Sequence, residues 1–337
     1  MKCKFSTIEK KQLKIFFIVA FLVPMLLGVL MGYSYYQGNK VHLFALTFML
    51  YPAAGVILAI YFTKDKDAVI PQKAYATHLV TTVLLTVITI VNIFKPSANL
   101  DSLSQVIILV ASALFLIFVH HENPEIKKKY NLNFRGHVHK KPWIYMLLFV
   151  LLYITRIVFI AVFDGDLESI NTLFSIQTLL GTLNLTIAFV FSFIMFFGEE
   201  YGWRYFLQPF LQKRMGKRLG IITLGVIWGL WHLPIIMFLY STETWCLGII
   251  GQLSTCISLA IFFGYAYMKT KNIWVPIFMH FFNNNFIAVL VGNVDFKYTL
   301  QLKDVVILLI SNAIIYASFI FAKEYKANNT TNHNASL

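Results

Sequence analysis

The sequence predicts an all-α, polytopic membrane protein of about ten transmembrane helices (eight to ten), with both termini cytoplasmic. Three observations carry that prediction. Of 337 residues, 58% are hydrophobic and only 13% charged, whereas soluble domains hold roughly 45–50% and 25%. The apolar residues fall in ten runs, at about 14–36, 41–62, 74–94, 103–119, 142–163, 172–198, 219–240, 246–268, 273–292 and 304–322. Runs of this length cross the hydrocarbon core as helices, because only internally satisfied backbone is tolerated there. The basic residues are also one-sided. With the N-terminus placed inside, 22 of the 28 Lys and Arg fall in cytoplasmic segments and four (Lys40, Lys95, Lys297, Lys303) in outer loops, as the positive-inside rule requires. One missed span would invert half of those loops. A net charge of +13 would suggest nucleic acid in a soluble protein. Here topology accounts for it, and no nucleic-acid partner is expected.

Taken in order, the run beginning near Ile15 is too long for a signal-peptide core and has no clear small-residue cleavage site, so it reads as the first span. Three further spans follow, and residues 1–140 form an N-terminal part. The basic loop 120–141 contains His120, His121, His137 and His139. It reads as a solvated cytoplasmic loop, since His121–Glu122 does not continue to the second His of a zinc helix. Residues 141–325 form a second membrane part, and 326–337 a polar tail. The stretch Ser169–Gln212 is too long for one upright span. It must tilt, project or begin with an interfacial piece, because two spans there would put Lys213–Arg218 outside. Cys3, Cys246 and Cys256 show no metal or disulfide spacing and read as reduced.

Charges at mid-membrane are expensive and are functional candidates by default. The candidates are Arg156, His78, Glu199, Glu200, Arg204, His232 and His280. Counted from the nearest cytoplasmic charge, Glu200, His232 and Asn284 lie about 20 Å along their helices and His280 about 13 Å. Three segments thus bring polar groups to one level. Glu200 and Arg204 are i,i+4 neighbours that can neutralise each other. Glu199 points about 100° away, has no such local partner, and is available as a base. Each residue has a plainer reading by itself: an interfacial Glu–Arg cluster, or hydrogen-bonded core histidines. Arg156 is expected to snorkel or to pair with Asp164 and Asp166, and His78 to be interfacial.

At these residues the sequence resembles the CPBP family, also called Abi: CAAX proteases and bacteriocin-processing enzymes that act as intramembrane endopeptidases. The E-E-x-x-x-R motif is Glu199-Glu200-Tyr-Gly-Trp-Arg204. The F-x-x-x-H motif is Trp228-Gly-Leu-Trp-His232, where Trp for Phe is expected to alter pocket shape rather than chemistry. The H-x-x-x-N motif is His280-Phe-Phe-Asn-Asn284. The resemblance covers about residues 170–320. It implies hydrolysis of a peptide bond in a membrane-associated protein or peptide, with Glu199 activating water, His232 assisting, His280 and Asn284 stabilising the oxyanion, and Glu200 with Arg204 supporting the site. No cofactor is expected. The alternative is a zinc site of Glu199, His232 and His280, a plausible ligand set.

Two other functions compete: a catalytically idle immunity or regulatory protein of the same fold, and a secondary transporter. The intact Glu199, His232, His280 and Asn284 argue against the first, and the absence of repeat symmetry against the second. The Lys/Asn/Ile/Phe bias points to a bacterial cell membrane and a peptide, bacteriocin or pheromone substrate. Neither the substrate nor the oligomeric state is legible.

Overall fold

The structure is a computed structural model that describes residues 5–135, 141–292 and 297–326. Among them all regular secondary structure is helical. The helices are α1 (Thr7–Tyr36), α2 (His42–Tyr61), α3 (Gln72–Phe94), α4 (Ala98–His121), α5 (Pro142–Asp164), α6 (Ile176–Met215), α7 (Lys217–Trp231), α8 (Leu233–Tyr240), α9 (Trp245–Thr270), α10 (Trp274–Val291) and α11 (Leu302–Phe321). Every apolar run of the sequence falls on one of them. Eight are long and apolar enough to cross a membrane, or nine if the bent pair α7–α8 counts as one span. The outward faces are apolar, as with Leu179, Leu183 and Ile187 along α6. Such rows would be a liability in water and suit a lipid solvent.

Proline sets the irregularities. α7 and α8 meet at a 42° bend, where Pro234 cannot donate to the preceding turn. In α6 a π-helical stretch, Tyr201–Leu207, runs up to Pro209, whose missing N–H frees a carbonyl of the turn before it. α6 is also the longest helix, at 40 residues, or about 60 Å. A separate short helix, Leu167–Leu173, precedes it. The long segment thus resolves as an extra piece plus a helix that continues well past the glutamates.

Glycine decides which helices touch. A Cβ on Gly198 would lie 2.2 Å from the Met49 carbonyl oxygen, and one on Gly202 2.3 Å from Pro52. These glycines, four apart on α6, let its backbone press against α2 at its kink, the interruption at Met49 and Leu50 between His42–Phe48 and Tyr51–Tyr61. Gly225 and Gly229 repeat the device on α7, where added Cβ atoms would meet Ile257 and Leu253 of α9. Small residues four apart are the usual means of close helix approach in membranes.

The N-terminal helices also hold the motif helices. Trp231 donates its indole N–H to the Ala20 carbonyl at 2.8 Å. The Tyr75 and Tyr201 hydroxyls lie 2.6 Å apart, and Tyr201 donates to the Tyr130 carbonyl. His78 departs from expectation. It is fully buried, not interfacial, and its Nε2–H donates to the Leu50 carbonyl at 2.9 Å, bracing the α2 kink. In the basic loop His120 and His121 are exposed, while His137, His139, Cys3 and the tail 327–337 lie outside the described residues. Cys246 and Cys256 are free thiols.

Candidate active site

Glu199, His232, His280 and Asn284 line one cavity of about 1210 Å³, whose lining also holds Arg156, Asp164 and Asp166. They come from three places: α6, the bend between α7 and α8, and α10. Glu200 and Arg204 are not part of its lining. They stand behind it, both 0% exposed. The site divides into a layer that faces the cavity and a layer behind it.

The supporting layer is a buried charge cluster. Arg204 Nε donates to Glu200 Oε2 at 2.7 Å, and His280 Nδ1 meets Glu200 Oε1 at 2.9 Å. Each oxygen of Glu200 thus has one partner. The Arg204 guanidinium lies 4.8 Å from the centroid of Trp228 and 5.4 Å from that of Phe263, and its two Nη atoms have no hydrogen-bond partner. Aromatic faces are one of the few environments that offset a desolvated cation without a second anion.

Glu199 is held differently. Trp203 and Trp228 both donate indole N–H groups to its Oε2, at 3.1 and 2.7 Å. Oε1 has no protein partner among the described residues. Two expectations change here. Glu199 does have an i,i+4 partner, Trp203, because tryptophan is a hydrogen-bond donor as well as an apolar residue. Trp228 in place of Phe changes chemistry rather than shape, since its edge serves Glu199 while its face covers Arg204. A phenyl ring could do only the second.

The helix bend assigns the tautomer of His232. Its backbone N–H bonds to Gly229 rather than to Trp228, which leaves the Trp228 carbonyl to the ring Nδ1 at 2.8 Å. A carbonyl only accepts, so Nδ1 carries the proton and Nε2 is an acceptor. On α10 the Asn283 amide donates to Asn284 Oδ1 at 2.9 Å. That bond orients Asn284 and leaves its own NH₂ as a donor.

The zinc alternative requires Glu199, His232 and His280 to share one ion. Among the described residues no three His, Cys, Asp or Glu side chains are disposed to do so. The Nδ1 bonds of the two histidines would suit metal ligands. Arg156 also differs from expectation. Asp164 pairs with Lys303 at 3.2 Å, and Arg156 lines the cavity alongside Asp164 and Asp166 without an ion pair to either among the described residues.

Residues 181–286 match the family model Rce1-like, type II CAAX prenyl endopeptidase. That model is one of the CPBP family, and it covers less than half of the chain. The match spans every motif residue from Glu199 to Asn284 and follows the geometry, since it begins in α6 and ends in α10. CPBP enzymes of this type are proteases, so the matched part of the chain resembles a peptide hydrolase built into a membrane. No curated protein and no solved structure matches the chain. The residues that sequence reasoning missed are Trp203, Trp228 and the four glycines. The glycine signal was present as two G-x-x-x-G spacings inside apolar runs. The indole contacts depend on side-chain directions that no spacing reports.

Proposed function

We propose that the chain is an intramembrane endopeptidase that hydrolyses a peptide bond of a membrane-associated protein or peptide, with Glu199 as the base. The observation that carries this reading is the asymmetry of Glu199: one oxygen is fixed by two indoles, and the other is left toward a cavity shared with His232, His280 and Asn284. A carboxylate anchored in that way holds a water in one place and takes its proton through Oε1.

In the proposed reaction a water between Glu199 Oε1 and His232 Nε2 attacks the peptide carbonyl carbon, and its proton passes to Glu199. The carbonyl oxygen becomes an oxyanion facing the Asn284 amide and the outer nitrogen of His280. His280 Nδ1 already points at Glu200, so donation from Nε2 requires both ring nitrogens to be protonated. Collapse breaks the C–N bond, and the proton held by Glu199 passes to the leaving amine. The sum is one water added across one peptide bond. Donors fixed on a developing oxyanion are each typically worth about 3–4 kcal/mol.

The test is cleavage of a membrane-anchored peptide by purified protein, followed by mass spectrometry. Glu199→Gln keeps the side-chain size and removes the proton acceptor, so cleavage is expected to fall to background. Turnover equal to that of the unaltered protein would end this assignment.

A further inference from the structure

We propose that Arg156 forms a carboxylate-binding subsite in the same cavity, where it holds a carboxylate of the peptide that Glu199 cleaves. This rests on the peptidase reading and adds a substrate class to it. Arg156 lies within α5, a helix apolar enough to span the membrane. Its Nε is buried without a hydrogen-bond partner, and it lines the cavity that contains Glu199, His232 and His280.

Asp164 and Asp166 line the same cavity, and both have other partners. Asp164 binds Lys303 at 3.2 Å. Asp166 caps the short helix that follows α5 by accepting from the Ser169 backbone N–H at 3.1 Å. An arginine at this depth, with no protein anion on its guanidinium, matches a ligand that brings one. Arg156 is eight residues, or about 12 Å, from the Asp164 end of α5, well inside the level of lipid headgroups. Among the described residues none of the cavity's own carboxylates, Asp164, Asp166 or Glu199, forms an ion pair with Arg156, which leaves it to an anion that arrives with whatever fills the cavity.

Geometry places the subsite beside the reacting groups. One turn before Arg156, the Tyr153 hydroxyl donates to the Asn283 carbonyl at 3.1 Å, locking α5 to α10 next to Asn284. Arg156 follows about 4.5 Å further along the axis. A guanidinium offers a planar pair of donors that matches a carboxylate in two-point contact. The carboxylate is either the C-terminus of the peptide or an Asp or Glu side chain near the scissile bond.

The experiment measures binding rather than cleavage, so that its failure is separate from failure of the peptidase reading. The Glu199→Gln protein, full length in nanodiscs, is titrated with a fluorescent farnesylated peptide in three forms: free C-terminal acid, C-terminal amide, and amide with one internal Asp. The unaltered protein is tested in parallel for cleavage of the same peptides. An acid-bearing form is expected to bind roughly 10- to 100-fold more tightly than the plain amide. Adding Arg156→Gln should abolish that preference while leaving amide binding intact, which also shows that the variant is folded. Arg156→Lys should retain part of it. Which acid-bearing form is preferred tells a terminal carboxylate from a side-chain one. The proposal falls if neither form binds better than the plain amide, or if the preference survives Arg156→Gln.

Discussion

Trp228 touches more of the site chemistry than any other single side chain. Its N–H holds Glu199 at 2.7 Å and its face covers Arg204. Trp228→Phe separates the two roles. The aromatic face remains and the donor is lost, so folded yield should hold while turnover drops by roughly 10-fold, the scale of one hydrogen bond to a charged group. Glu200 gives the opposite pattern. Glu200→Gln removes the anion between Arg204 and His280, leaving a buried guanidinium without its ion-pair partner, a change that typically costs about 3–5 kcal/mol. Reduced yield of folded protein and a lower thermal midpoint are expected, with lower activity in the fraction that folds, because the glutamine has one acceptor oxygen for two donors, Arg204 Nε and His280 Nδ1. If Glu200→Gln purified with an unchanged midpoint, the ion cluster would not be structural.

The element that matters most is α6, because it carries Glu199 and Glu200 on a helix pressed against α2 through Gly198 and Gly202. Gly202→Val would place branched carbons where Pro52 stands only 2.3 Å from an ideal Cβ. No rotamer relieves a clash with backbone, so α6 must move outward or turn. Cleavage should then be lost although every motif residue is intact, and detergent stability should fall by several degrees or more. Full activity in Gly202→Val would mean that α2 does not position the glutamates. At the α7–α8 junction, Pro234 performs a related task. It bends the helix by 42° and so makes the Trp228 carbonyl available to His232.

At the scale of the molecule, the distribution of charge predicts orientation. With 22 basic residues assigned inside and four outside, both termini and the 120–141 loop should be cytoplasmic and the 164–171 loop external. Single cysteines at Ser169 and Lys128, introduced into a variant lacking the native thiols, test this in intact cells with a membrane-impermeant maleimide. Labelling is expected at Ser169 and not at Lys128, and the reverse pattern would invert the topology. The N-terminal helices also belong to the working molecule in a physical sense. Trp231, beside His232, is anchored on Ala20 of α1, and Tyr201, beside Glu200, on Tyr75 and Tyr130.

The sequence by itself determined what depends on composition and on distance along a chain. Apolar run length decided the spans, because the thickness of the bilayer is fixed and the rise of a helix is constant. The same constancy placed Glu200, His232 and Asn284 at a common depth, with His280 shallower, and the motif spacing supplied the family resemblance. Tertiary structure decided everything that depends on rotation about helix axes and on which helices touch. It set Trp203 and Trp228 on one oxygen of Glu199, moved His78 from the interface to the α2 kink, and put Arg156 in the cavity lining without an ion pair to Asp164. Residue counting gives depth but not azimuth, and in this protein azimuth is settled by the close approach of glycine-bearing helix faces and by proline bends.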